Sequence, residues 1–231
     1  MLSLAERRQQ VLYDKKWKIF LSRSWLFRFI PFADLALAAG SMAMGNVRSE
    51  SDFDVIIGVR VGRIFTARFF SVLAFEMFGW RRRKEHFSGV SAKDKICLNH
   101  FVAPAAFRLS PPHNAYWQEL YRNLVPLYGE PAKVREFFLV NQTWAGEVNF
   151  KNDDTRYRHR TKSFFKRKLE WFLSGKTGDW LEKTLRRWQI AKIEASAKSG
   201  QGFEPRIIYN DNELEFHPDT KRILDYLARK S

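Results

Sequence analysis

The most constraining segment of the chain is Asp52-Phe-Asp-Val-Ile-Ile-Gly-Val, an alternating, β-branched stretch that suits a pleated strand. Phe53, Val55 and Ile57 fall on one face and Asp52 and Asp54 on the other. One side of this strand therefore meets a core while the other carries two carboxylates. Upstream, Asp34-Leu-Ala-Leu-Ala-Ala alternates weakly and runs into Gly40-Ser41, which reads as a short strand entering a tight turn. A third strand is predicted over Lys95-Ile-Cys-Leu-Asn-His-Phe-Val, stopping before Pro104. Between the second and third strands, residues 64–79 are rich in Phe, Ile, Leu and Val and predict a mostly buried helix ending at Gly79.

The flanking regions read as helical. Residues 4–20 form a basic, imperfectly amphipathic helix, and a second apolar segment, Trp25 to Ile30, stops at Pro31. After Pro111-Pro112, Tyr116, Trp117, Leu120, Tyr121 and Leu124 recur at helical spacing before Pro126, and Pro131 opens a further helix carrying Val134, Phe137 and Phe138. Two strongly basic helices follow, about Thr161 to Leu173 and Asp179 to Glu194, separated by Ser174-Gly-Lys-Thr-Gly178. Residues 196–205 read as a linker, and Pro218-Asp219-Thr220 as the start of a C-terminal helix. The expected division is an N-terminal helical extension (1–30), an α/β unit (31–110) and a basic helical region (111–231).

Composition narrows the classes. With 45% hydrophobic residues and 16% aromatics, the chain is too apolar for a disordered basic tail. The longest stretch without a charge, Leu35 to Val47, holds Gly40 and Gly45 and falls short of the ~20 apolar residues of a membrane-spanning helix. The N-terminus lacks the uninterrupted apolar region of a secretory signal, and one cysteine, Cys97, permits no internal disulfide, in keeping with the cytoplasm. The net charge of +15 predicts attraction to polyanions.

The chemistry is concentrated between Gly40 and Asp54. The Gly40-Ser41 turn offers backbone amides and a hydroxyl to phosphate oxygens, and a short helical turn after it adds partial positive charge. Asp52 and Asp54, at i and i+2 of a strand, project from one face towards a common point. Mg²⁺ favours one or two such carboxylates together with phosphate oxygens and water. The ordered set Gly40-Ser41, Ala43, Gly45 and Ser51-Asp52-x-Asp54, followed by an apolar run, resembles the signature of the polymerase-beta-type nucleotidyltransferase superfamily, close to its small bacterial and archaeal "minimal" members.

The resemblance covers roughly residues 30–105. It implies an α/β fold with a nucleotidyltransferase-type mixed sheet and helices, followed here by the basic α-helical region. It also implies two Mg²⁺ ions and transfer of a nucleoside monophosphate from a nucleoside triphosphate to a hydroxyl. Carried over by motif, Gly40 and Ser41 would touch the triphosphate and Asp52 and Asp54 would ligate the metals. The family's third carboxylate, on a later strand, aligns with Asn99. An amide offers a weak metal oxygen and no general base; His100 and His86 can accept a proton at neutral pH.

Further candidates are weighed against plainer readings. Arg63 and Arg68, flanking the start of the buried helix, are either triphosphate contacts or a solvated face, and Arg81 through Lys84 are either an RNA or phosphate contact or solvated surface. Within Arg156 to Lys168, Arg156, Arg158, Arg160, Lys162, Lys166 and Arg167 alternate with aromatics and no acidic residue. This pattern suits RNA, with Tyr157 or His159 stacking on unpaired bases. Phe164, Phe165, Leu169, Phe172 and Leu173 read instead as a core stripe. The leading expectation is a Mg²⁺-dependent nucleotidyltransferase with an RNA acceptor. Its alternatives are a catalytically lapsed nucleotide- or RNA-binding module, and a peripheral membrane protein using the N-terminal helix.

Overall fold

The computed structural model describes residues 3–83, 92–111, 113–197 and 206–217. Lys84, His86, the greater part of the expected linker and the helix expected from Pro218 lie outside them. The elements are α1 (Leu4–Ser24), β1 (Ala33–Ala38), α2 (Gly40–Met44), β2 (Phe53–Val59), α3 (Ile64–Met77), β3 (Ile96–Val102), α4 (Ala115–Arg122), β4 (Val125–Gly129), α5 (Pro131–Ala145), α6 (Phe164–Phe172), α7 (Lys176–Ala197), β5 (Arg206–Tyr209) and β6 (Glu213–His217). The fold is mixed α/β. One six-stranded sheet runs in the order β4-β1-β2-β3-β6-β5, with only β2 and β3 parallel. That parallel pair requires a crossover, which α3 supplies.

The alternation of β2 sorts the sheet's two faces. Phe53, Val55 and Ile57 join Trp17, Phe20 and Phe27 from the N-terminal region and Phe65 and Phe75 from α3 in one core. On the other face Ile56 packs with Leu35, Leu37 and Val102 beneath Trp117, Tyr121 and Phe137 of α4 and α5. Helices thus cover both faces, the arrangement that lets a largely apolar sheet bury its two sides.

Three strand expectations agree with β1, β2 and β3, while the flanks differ. Residues 1–30 contribute Trp17, Phe20, Leu26, Phe27 and Ile30 to the central core, so α1 is part of the body rather than an extension. The region after residue 110, expected to be helical, supplies three of the six strands, and the sheet crosses the expected boundary. β4 contains Pro126, which suggested an interruption; as the edge strand its proline costs no ladder bond on the open side. β5 and β6 form a hairpin whose turn is held by Asn210, its side-chain oxygen accepting from the amides of Asn212 and Glu213, both at 2.8 Å. Asn-Asp-Asn flanked by Ile-Ile-Tyr and Glu-Leu-Glu-Phe was the legible signal for it.

Candidate nucleotide and metal site

The site begins where β1 ends. Gly40 has φ +57, a left-handed conformation that favours glycine, and opens α2, which closes on Gly45 at φ +71. A β-carbon on Gly40 would lie 2.9 Å from Cγ of Asp54 and closer still to Oδ2. The turn and the carboxylate share one small space, and the Ala39 amide donates to the Asp54 carbonyl at 3.0 Å. Ser41 follows directly in α2.

The loop from Gly45 to Asp52 is pinned by α1. Lys16, almost fully buried, donates from Nζ to the carbonyls of Ser49 and Ser51 at 2.7 and 2.8 Å and pairs with Asp94 at 2.7 Å. Gln9 donates to the Val47 carbonyl at 2.9 Å and the Tyr13 hydroxyl to that of Met42 at 3.2 Å. Arg23 donates to the Asp94 carbonyl, and the Asp94 amide donates to Ser51. The basic face of α1 thus orients the loop that delivers Asp52. Nothing in the spacing of Lys16 announced that role.

On β3 the residue opposite Asp54 is Cys97. Ligand atoms of Asp52, Asp54 and Cys97 all lie within 4.8 Å of one another. The parallel register is irregular between Asp54 and Ile56: two steps along β2 match three along β3, from Cys97 to His100. Such a bulge shifts strand parity. Asn99, aligned by strand order and local pattern, falls within the irregularity; Cys97 and His100 oppose Asp54 and Ile56. His100 in turn meets Glu213 and Glu215 of β6 in a second, buried group with ligand atoms within 4.8 Å of one another. There Glu213 also accepts from the Ser110 hydroxyl at 2.9 Å.

Arg82, from the expected basic run, enters the carboxylate group itself. Its Nη1 lies 2.5 Å from Oδ2 of Asp52 and 3.9 Å from the Cys97 sulfur. Burial works against its charge, but Cys97, Asp52 and Asp54 outweigh that and raise its pKa. Burial first, then Asp54 and Asp52, push the Cys97 thiol well above its usual range. The group could hold a metal ion. Two aspartate carboxylates fit Mg²⁺ completed by phosphate oxygens and water, whereas a protonated thiol is a poor ligand for a hard cation.

The other expected nucleotide contacts are elsewhere. Arg63 lies beyond the far end of β2, paired with Asp179 at 2.5 Å and stacked on Phe32. Arg68 packs over Phe216 and donates to Gln189 at 2.6 Å; burial, with Arg81 nearby, lowers its pKa to about 10. Both side chains bind α7 to the sheet rather than joining Gly40 and Asp54.

The basic segment divides in the same way. Lys166 is fully buried, with its Nζ donating to the Ala33 carbonyl and, at 2.8 Å, to the Tyr128 hydroxyl. Lys162 pairs with Asp34 at 3.3 Å, and Arg156 clasps Asp154 and lies over Trp17. Tyr157 is buried, donating to the Gly129 carbonyl at 2.5 Å, so it is no stacking platform. Arg158, Arg160 and Arg167 remain exposed. Conversely Phe164, Phe165 and Phe172, expected in a core stripe, are exposed. Lys166 and Glu170 take the inward positions of α6 and hold it to the sheet edge.

No family model, no curated protein and no solved structure matches the chain. No helix among the described residues is long and apolar enough to cross a membrane.

Proposed function

We propose that the chain binds a magnesium nucleoside triphosphate at the Gly40–Asp54 corner and transfers the nucleoside monophosphate to a hydroxyl acceptor. The observation supporting this reading is the convergence of two carboxylates on a glycine turn with no room for a side chain. Asp52 and Asp54 would hold the metal. Bound there, Mg²⁺ neutralises phosphate charge and lowers the pKa of an attacking hydroxyl. Gly40 leaves room for the Asp54 carboxylate, and the Ser41 hydroxyl beside it would donate to phosphate oxygens. Arg82, which pairs with Asp52 here, would be placed to hold a phosphate oxygen and the charge on the departing pyrophosphate. The charge of +15, with Arg158 and Arg160 exposed, favours RNA as the acceptor.

A second reading, nucleotide or RNA binding without transfer, is favoured by one observation: a thiol, not a carboxylate, stands opposite Asp54. Transfer of α-labelled nucleoside triphosphate, with Mg²⁺ and bulk RNA or protein, separates the two when run beside an Asp52→Asn, Asp54→Asn double variant. Incorporation by the native chain that is lost in the variant supports transfer. Metal-dependent nucleotide binding without incorporation supports the binding module. Absence of both activities rejects both readings.

A further inference from the structure

Helix α6 turns the usual amphipathic pattern inside out. Lys166 and Glu170 are buried against the sheet edge, whereas Phe164, Phe165, Trp171 and Phe172 are 68%, 60%, 81% and 62% exposed. At about 100° per residue, the exposed side chains fall on one arc in the order Arg167, Trp171, Phe164, Lys168, Phe172, Phe165. Lys168 Nζ lies 4.6 Å from the Phe164 ring centroid, so cations and rings interleave on that arc. Trp180, near the start of α7, is exposed as well. Burying a lysine and a glutamate while leaving four large rings in water is an arrangement that folding alone disfavours.

We infer that this face docks on an anionic lipid bilayer. Phe and Trp settle at the boundary between headgroups and acyl chains, and adjacent Arg and Lys reach outward to lipid phosphates. The exposed side of α6 carries Arg167 and Lys168 and no carboxylate, and the net charge of +15 draws the molecule to a negative surface before contact. Single-stranded nucleic acid takes a basic groove that tracks its backbone; here the rings stand on the exposed arc of a nine-residue helix, and the cleft beside Trp171 and Arg167 also carries Glu130 and Glu170. The surface belongs to α6, not to the N-terminal helix. α1 spends Lys16 and Trp17 on the interior.

The test is flotation of the full chain, without nucleotide, with vesicles of phosphatidylcholine plus phosphatidylglycerol and with phosphatidylcholine alone. The protein should rise with the anionic vesicles and not with the neutral ones. Trp171→Ser with Phe172→Ser should lower the partition about tenfold or more at unchanged circular dichroism, because both rings already face water. Arg167→Glu with Lys168→Glu should lower it with every ring intact. The proposal is overturned if the native chain stays at the bottom with anionic vesicles, or if both variants float as well as the native chain. It is equally overturned if the variants lose single-stranded RNA binding or self-association while vesicle binding is unaffected.

Discussion

Gly40 and Asp54 approach so closely that the missing side chain of one is what lets the carboxylate of the other stand where it does. Gly40→Ala should therefore act at the site more than on the fold. The left-handed φ costs about 1–2 kcal/mol for an L residue, and the new methyl displaces the Asp54 carboxylate. The expected outcome is a modest fall in melting temperature and loss of metal-dependent nucleotide binding, read by calorimetric titration. Binding at native strength would separate Gly40 from the nucleotide.

Arg82 occupies with its own charge the carboxylate that a cation would need. Arg82→Gln should raise the affinity for Mg²⁺ in the absence of nucleotide, by roughly threefold to tenfold for a pair of this partial exposure. If the proposed contact with phosphate holds, the same change should weaken triphosphate binding. Titrating metal alone and then nucleotide with saturating metal reads the two effects separately.

Lys16 satisfies two carbonyls and one carboxylate from a nearly dry position. Lys16→Met leaves Asp94 unpaired and should cost on the order of 3 kcal/mol in urea unfolding. Because the carbonyls belong to Ser49 and Ser51, amide exchange should quicken around Ser51 and Phe53 before it does in β1. Uniform quickening would mean that Lys16 holds the fold without particular hold on the loop.

The ammonium of Lys166 has a pKa lowered to about 7 by burial, which outweighs the attraction of Glu170 and Asp34. Between about 7 and the ordinary 10.5 the unfolded chain binds the proton that the folded chain has shed, so unfolding free energy rises with pH across that window. Below about 7 both states are protonated and the contribution is absent. Tyr128, whose pKa is raised chiefly by burial, opposes the trend only above its ordinary 10.0. Urea midpoints measured from pH 7 to 10 should climb in the native chain, with a flatter slope in Lys166→Met.

The central strands were legible because Asp52 to Val59 and Lys95 to Val102 carry their alternation or β-branching locally. The partner of Asp54 was not. Asn99 was placed by strand order and local pattern, which carry no register, whereas the pairing of Phe53 with Ile96 sets Cys97 opposite Asp54. In Arg156 to Leu173, the pattern implied basic side chains facing RNA and a buried aromatic stripe. The structure reverses part of each, since Asp34 and Tyr128 come from elements distant in sequence to receive Lys162 and Lys166. Long-range charge pairing of this kind leaves no periodic trace. Pro126 misled for a simpler reason, as its strand lies at the sheet edge.

The first amides of α3 carry a consequence for how the molecule comes into being. Phe65 and Thr66 donate to the carboxylate of Glu182, which lies 117 residues after Phe65. A growing chain can pair β1 with β2 early, yet the crossover joining Asp54 to Cys97 has no cap on its helix until α7 has been synthesised and has docked. Domains generally fold as units while the ribosome delivers them. In this chain the carboxylate corner is encoded early and secured late, and a ribosome stalled before Glu182 would hold the motif without its brace.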